Sequence, residues 1–565
     1  MQKRFVLKMR TKVLSLLVLV LCSVGPVVAQ VLAPEMDERA SLIIERIAIA
    51  EGIASDHFSS LKYYSVKDIL GFMDKLSEEQ RIKYKGELAF LEQEFLLWKP
   101  ETELIPKKKW LGIYSQANAL YQFKNKDAAF EIKPMLNIGL GKDQNDSDIY
   151  LMNQRGLIVN GSIDDKVYFH STILESQARF TSNIRSIYQD TGILPGSGFV
   201  KRYYSNVFEF TDGVDYLLSR GHIGFRISKH IDAQFGHGRN FIGNGYRSLL
   251  LSDRTTNYLF AKINWRIGKV QLQNIFAELV TENQRPVSIS PFPKKYMAAH
   301  YLGFKPFKNI SLGLFEAVIF SRDDGFELNY LNPVIFYRTI EGMIGSPDNV
   351  IIGLDGQWNL PKRIQLYGQM IIDEFIFNEL FKTGESSWTN KWGIQLGIKQ
   401  IDFLGIRNLD VQYEYNTVRP YTYSHREFEN TYGHYEQPLA HPFGANFGEQ
   451  VLNIRYQFSK KWLLNIKGFQ FYKGLDVDTE SYGGDIFKPY TLRYADTGHS
   501  IGQGLRSDVQ LISTDLSYEL FHNLYIGAQF FWRNETFSDP SLDARKVSFI
   551  GGSLRYNINQ FRNDL

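Results

Sequence analysis

The sequence predicts an all-β transmembrane barrel of about 18 antiparallel strands, preceded by a small N-terminal helical bundle. Three observations carry that expectation. From about Trp110 to the end, apolar and polar residues alternate with period two. Eight short turns recur through that region, separated by long segments rich in Gly, Asn, Asp, Tyr and Pro. The chain is 44% apolar and 14% aromatic with a mean hydropathy of −0.25, which excludes a helical membrane protein built on repeated apolar runs of about 20 residues. The 32 Tyr and 41 Phe also argue against disorder and suit strands with interfacial girdles.

The chain opens as an export signal over residues 1–29. "MQKRFVLKMRTK" is basic, "VLSLLVLVLCSV" is a short apolar core, and "VVA" ending at Ala29 is an acceptable cleavage site. Cleavage would remove Lys3, Arg4, Lys8, Arg10 and Lys12, taking the formal charge from +3 to −2. A near-neutral mature chain gives no support to a nucleic-acid partner. Cleavage would also remove Cys22, the one cysteine, leaving no internal disulfide and no thiolate metal site.

Residues 30–105 read as a periplasmic helical bundle. "DERASLIIERIAIAEG" places Leu42, Ile43, Ile47 and Ile49 on one broad stripe, and "SVKD" from Ser65 and "SEEQ" from Ser77 have the form of capping boxes. "IKYKGELAFLEQEFLLW" predicts a helix ending near Trp98.

Residues 106–565 read as the barrel with long extracellular loops. The short turns are "IDDKV" (163–167), "ISKHI" (227–231), "IGKV" (267–270), "FKNI" (307–310), "LPKRI" (360–364), "LGIRNL" (404–409), "FSKKW" (458–462) and "LFHNL" (520–524). Short turns at one end and long loops at the other are the plan of a transmembrane barrel. In "NYLFAKINWRIGKVQLQ", Leu259, Ala261, Ile263, Trp265 and Ile267 fall on one face, and Lys262, Asn264 and Arg266 on the other. Leu452, Ile454, Tyr456 and Phe458 likewise oppose Asn453, Arg455 and Gln457, while Leu409, Val411, Tyr413 and Tyr415 oppose Asp410, Gln412 and Glu414. A soluble β-sandwich predicts shorter strands without this two-ended asymmetry. In hydrocarbon the sheet must close, because every backbone group needs a partner.

Eight hairpins make sixteen strands; "VSFIGGSLRYNINQF" adds a descending strand and one ascending strand must precede the first hairpin. Both "WLGIYSQANALYQF" and "AAFEIKPMLNIGLG" look like strands, and parity admits one as a simple crossing. The other is expected to be bent or to lie partly outside the wall.

No strong catalytic signature is present. "FGHGRNFIGNGYRS" lacks the phosphate-loop lysine and opens no helix; it reads as a strand kinked at Gly236 and Gly238 that sends Arg239 and Arg247 into the lumen, with direct ligand contact as the alternative. Asp373 and Glu374 are strand neighbours and point to opposite faces, so they cannot act on one bond. The densest unusual segment is residues 416–450, which interleaves Tyr421, Tyr423, Tyr432, Tyr435 and Phe443 with Arg419, Arg426, His425, His434 and His441. Rings beside hydrogen-bonding heads suit sugars, whose C–H faces stack and whose hydroxyls need donors and acceptors. Loop packing is the plainer reading, and the histidine spacings fit no local metal pattern. The glycan-binding candidates are therefore Arg419, Tyr421, Tyr423, His425, Tyr432, His434, Tyr435, His441 and Phe443. The luminal polar candidates are Arg239, Arg247, Lys262, Arg266, Arg455 and Lys467.

"GRNFIGNGYRSLLLSD", "LNPVIFYRTIEG" with "SPDNVIIGLDGQWNL", "IQLYGQMIIDEF", and "VRPYTYSH" followed by "YEQPLAHPFGANFGE" together resemble the Wzi family of capsule-assembly outer-membrane proteins, in particular its Bacteroidota branch, which includes the gliding-motility protein RemB. The resemblance runs over essentially the whole mature chain. It implies an eighteen-stranded barrel with a periplasmic helical bundle, a lumen obstructed by loops, and a lectin-like rather than enzymatic surface role. The expected function is thus a non-enzymatic outer-membrane barrel, set in outer-membrane lipid, that binds or organises surface polysaccharide or supports gliding-related adhesion, with gliding or secretion components as further partners. A porin or transporter is the alternative, since Lys262, Arg266, Arg455 and Lys467 would line water. No cofactor and no metal is expected.

Overall fold

The structure is a computed structural model that describes residues 38–565 apart from 54–57, 63–64, 100–118, 145, 147, 165, 199, 282–291, 323–324, 374–385, 478 and 560–561. The expected signal segment, Glu374 and all of "WLGIYSQ" lie outside the described residues.

Four helices come first: α1 (Glu38–Glu51), α2 (Val66–Asp74), α3 (Glu78–Lys83) and α4 (Lys85–Glu94), the last followed by a 3-10 turn at Leu96–Trp98. Both expected capping boxes form. Ser65 Oγ accepts the Asp68 N–H while Asp68 accepts the Ser65 N–H, and Ser77 and Gln80 do the same. Where one helix was expected between Ile82 and Trp98, the backbone breaks at Tyr84, which caps α3 and starts α4. Ile43, Ile44 and Ile47 pack with Phe72, Leu76, Leu88 and Leu91 into a core of their own.

The wall begins after a four-residue strand, β1 (Tyr121–Lys124). Its first members are β2 (Ala128–Asp143), β3 (Ile149–Ile163) and β4 (Val167–Arg179), followed by helix α5 (Ser182–Thr191). A short β5 (Lys201–Ser205) leads to β6 (Phe210–Arg226), β7 (Ile231–Gly238), β8 (Tyr258–Ile267) and β9 (Val270–Val280). Then come β10 (Lys294–Phe307), β11 (Ile310–Phe320), helix α6 (Tyr337–Ile344), β12 (Asn349–Leu360) and β13 (Ile364–Ile372). Next are β14 (Trp392–Gln400), β15 (Leu409–Val418), the small hairpin β16 (Gly433–His434) and β17 (Gln437–Pro438), and β18 (Phe447–Tyr456). The circuit ends with β19 (Trp462–Leu475), β20 (Leu505–Phe521), β21 (Leu524–Phe537) and β22 (Arg545–Tyr556).

β22 pairs antiparallel with β2, from Leu136 opposite Tyr556 to Asp143 opposite Phe549, and so closes a ring of 18 strands. All eight expected turns join neighbouring strands of that ring. Gly268 takes the left-handed φ of +56° that its tight turn requires. The parity problem resolves through β1, which pairs with the lower part of β2, below the point where β22 ends. β5 similarly occupies the edge of β6 above the end of β7. Each short strand covers backbone that a shorter neighbour would leave unpaired.

The two faces separate as alternation requires. Leu259 and Ile267 are exposed outward, whereas Lys262 and Asn264 are buried inward. Leu452 and Tyr413 face out while Asn453, Gln412 and Glu414 face in. Tyr456, Phe458, Trp462 and Tyr518 stack in series beside the short turns, an interfacial girdle. The interior departs from a uniformly wet lining. Ile275, Ala277, Met297, Ala299, Phe315, Ala317 and Ile319 all point inward and are buried, because apolar loop residues dock against them.

Candidate functional site

The lumen is entered from both ends. From the short-turn end, Arg46 pairs with Asp402 and, at 3.2 Å, with Asp410; Arg266 pairs with Asp68 at 3.0 Å and Lys133 with Glu94 at 2.8 Å. From the long-loop end, residues 239–257, between β7 and β8, fold inward. The two meet where the Gly243 N–H donates to Ser60 O at 2.8 Å and Lys399 Nζ bridges Asn244 O (2.6 Å) and Glu45 (2.5 Å).

An ionic lock fastens this plug to the wall. Arg247, fully buried, donates from Nε and Nη2 to Glu449 of β18 (2.9 Å at the shortest) and from Nη1 to Asp564 at 3.2 Å. Arg254 also pairs with Asp564. Glu414 of β15 accepts the backbone N–H groups of Tyr246 (2.7 Å) and Arg247 (3.0 Å), and Asn416 bridges Glu414 and Glu449. The apolar stretch Leu249–Leu251 then seats against the inner wall.

Most of the expected glycan ligands belong to this plug. Tyr423 and Tyr432 are buried, stack at 5.7 Å and donate their hydroxyls to Leu249 O and Leu250 O, both at 2.7 Å. Tyr421, also buried, donates to Ser481 O. His434 and His441 are buried as well. The polar heads of these five residues are taken up by loop packing, those of Tyr421, Tyr423, Tyr432 and His434 by distant segments and that of His441 by nearby Glu449 and the Phe443 N–H. Phe443 packs on Phe471 at 4.2 Å, and Tyr435 on Phe292 at 5.6 Å. His425 lies edge-on to Tyr490 at 6.0 Å, and Arg419 donates to Asn390 O and Ser386 Oγ.

The imidazoles of His434 and His441 are held neutral. His434 Nδ1 accepts the Val280 N–H (2.9 Å) and Nε2 donates to Asn257 O (3.1 Å). His441 Nδ1 accepts the Phe443 N–H (3.2 Å) and Nε2 donates to Glu449 (2.7 Å). Burial pushes His434 down to about 3 and His441 down to about 4, the latter against the upward pull of Glu449. Below its ordinary value of ~6.5 each histidine takes up a proton more readily unfolded than folded. Stability is therefore fully present above pH ~6.5 and falls as pH drops toward 4. Urea midpoints read in lipid at pH 8, 6 and 4.5 should decline stepwise, and less so in His434→Gln; a midpoint flat across that range contradicts the assignment.

Of the luminal candidates, Arg239, Lys262, Arg455 and Lys467 line a chamber of about 980 Å³ left beside the plug. Arg247 does not; it is sealed in the lock, and Arg266 is engaged at the turn end by Asp68. Twelve Lys and Arg but six Asp and Glu line the chamber among the described residues, a formal excess of positive charge in its lining. Asp373 accepts the Tyr423 N–H at 2.6 Å. No group of three or more His, Cys, Asp or Glu among the described residues is placed to hold a metal ion.

The long-loop surface carries an aromatic cluster that sequence reading missed. Trp388 and Tyr490 lie 4.6 Å apart, Arg493 sits 4.4 Å above Trp388, and Lys391 sits 4.1 Å from Tyr490. Tyr482 and Tyr494 stack at 4.7 Å beside it, with Tyr494 37% exposed. Arg419, Tyr421 and His425 form its underside through Ser386, His499 and Tyr490. Trp388 and Tyr490 stand in loops a hundred positions apart, so no local spacing signals the pair.

Comparison with known proteins places this architecture. A solved structure of Wzi from Escherichia coli, described as an outer-membrane protein involved in group 1 capsule assembly and a carbohydrate-binding β-barrel, superposes with a TM-score of 0.56 at 12% identity, over 94% of this chain and 100% of that one. OprD of Pseudomonas aeruginosa matches at a TM-score of 0.40 and 9% identity, over 76% of this chain and 94% of its own, and OccK8 (OprE) of the same organism at 0.39 and 11%, over 76% and 97%. A search of curated proteins finds no match. The family match covers residues 158–474, more than half of the chain and all of the plug from Arg239 to Glu449. The chain belongs to the capsule assembly protein Wzi family.

Proposed function

We propose that this protein is a non-enzymatic barrel of the outer membrane, exported by its N-terminal segment, that holds surface polysaccharide on its long-loop face. The observation that carries the reading is the filled lumen: with Gly243 bonded to Ser60 across the barrel, the surface rather than a pore is what the molecule offers to a long polymer. The Trp388–Tyr490–Tyr482–Tyr494 cluster, with Arg493 and Lys391 at its edges, supplies flat rings for sugar faces and donors for hydroxyls or acid groups. The family's association with capsule assembly and the carbohydrate binding ascribed to the Escherichia coli protein support it.

Binding of purified protein to a glycan array should fall about tenfold, or ~1.4 kcal/mol, in Trp388→Ala and Tyr494→Ala, with the heat-modifiable band of the folded barrel retained. Unchanged binding in both variants excludes the cluster as the site. The positive chamber favours a second reading, a channel for small anions. Large, steady, anion-selective steps in planar bilayers would establish that reading instead. Gliding-related adhesion is the finer alternative within the surface role. A deletion strain that keeps its capsule but loses spreading would support it, together with gliding or secretion partners; capsule loss with normal spreading supports polysaccharide retention.

A further inference from the structure

The connection between β11 and β12 does not rise away from the barrel. It folds back over the outside of the wall. On β10 and β11, Met297, Ala299, Phe315, Ala317 and Ile319 point inward and join the luminal core, whereas Ala298, Val318 and Phe320 point outward. Those outward residues are nonetheless buried, because Tyr330, Tyr337 and Ile340 of the connection lie on them, with Phe326 packed edge-on to Phe276 and Tyr296.

A row of polar residues on the same outer face receives the returning chain. Asn274 on β9 and Glu316 on β11 flank His300 on β10. Asn274 Nδ2 donates to Pro333 O at 3.0 Å. Glu316 accepts the N–H groups of Tyr337 (2.9 Å) and Arg338 (3.1 Å), the first turn of α6, and pairs with His300 at 2.9 Å. Tyr337 stacks on His300 at 4.4 Å. Asn274 and Glu316 are 0% and 1% exposed, an unusual fate for polar groups on a lipid-facing wall.

The level of that row identifies what surrounds it. Asn274 stands four residues above the turn end of β9, and Glu316 six above the turn end of β11. Strands rise ~3.4 Å per residue and tilt ~40° in such barrels, so the row lies about 10–15 Å into an apolar band ~25 Å tall. Around it on the wall, Leu302, Leu312, Ile352 and Leu354 are exposed. Over it, the connection turns Leu328, Leu331, Val334, Phe336 and Met343 outward, with Val334 74% and Met343 79% exposed. The charged Arg338 is paired with Glu341 at 2.6 Å, and its long stem can carry its head toward the headgroups.

We propose that residues 326–344 are a membrane-inserted flap whose outer face seats the acyl chains of outer-leaflet lipid, and that Asn274 and Glu316, the latter held by His300, satisfy its backbone where water is absent. Continuity of the flap's apolar face with the lipid-facing wall, and the placement of hydrogen-bonding groups where hydrocarbon would leave a helix N-terminus unpartnered, both argue for lipid as the occupant.

The test uses the full mature chain in phospholipid vesicles, from which cleavage has removed Cys22, carrying a single nitroxide at Val334→Cys or Met343→Cys. Both labels should show high collision with oxygen and low collision with a water-soluble nickel chelate, as a label at Leu354→Cys on the wall does, and opposite to one at Asp485→Cys in an exposed loop. Nickel accessibility matching the Asp485 label overturns the proposal. Spin–spin broadening at position 334 that persists on dilution into lipid also overturns it, in favour of a second copy of the chain. Adding Glu316→Gln should raise nickel accessibility at 334 several-fold; no change overturns the role of the polar row. Should Glu316→Gln fail to give a heat-modifiable folded band, the label pair in the parent protein decides the matter alone.

Discussion

Glu449→Ala should destabilise the folded protein by about 3–5 kcal/mol, the cost of stranding a buried cation. Glu449 is 0% exposed and takes two donors of Arg247, one of Asn416 and one of His441. Its removal leaves the Arg247 guanidinium with Asp564 alone, since Tyr246, Phe443 and Phe469 offer it only ring faces at 5.3–5.6 Å. Glu449→Gln keeps an acceptor and should cost less. Because the lock joins plug to wall rather than wall to wall, the variant should also loosen residues 239–257. Reversible urea unfolding in lipid measures the first effect and amide hydrogen exchange at Leu249–Leu251 the second. A loss below 1 kcal/mol in Glu449→Ala would mean that the lock is not closed in the membrane.

Leu354→Arg comes next, at about 2–4 kcal/mol for a charge placed near the bilayer midplane. Leu354 is 52% exposed on the outer face of β12, six residues above the strand's turn end, between Leu314 and Met370. Asn465→Arg points into the hydrated chamber and should cost far less. Leu464→Arg is lipid-facing too, but Leu464 sits two residues from the girdle residue Trp462, so the charge can reach the interface at a cost of about 0–1 kcal/mol. The order Leu354, then Leu464, then Asn465 distinguishes depth from face. Equal effects at Leu354 and Asn465 would reverse the assignment of inside and outside.

Much of the wall was legible because its rule is local. A residue's face depends on the parity of its position, so Lys262 and Asn264 inward and Leu259 and Ile267 outward follow from one short stretch. Capping boxes are legible for the same reason, being closed within four residues. The candidate site was not. Tyr423 and Tyr432 look like sugar platforms in one dimension, yet their hydroxyls find carbonyls some 174 and 182 positions away. Asn274 and Glu316 look like misplaced polar residues on lipid-facing strands until the connection that returns to cover them is seen.

By itself, then, the sequence determined a closed two-faced wall, its eight turns and a capped helical segment, since alternation, turn chemistry and capping act between near neighbours. Only the tertiary structure decided which loops fill the lumen, which rings reach the surface and which connection lies against lipid. Those outcomes depend on pairings such as Arg247 with Glu449, Trp388 with Tyr490 and Glu316 with the start of α6. Such pairings bring together groups far apart in the chain, and no local period records them.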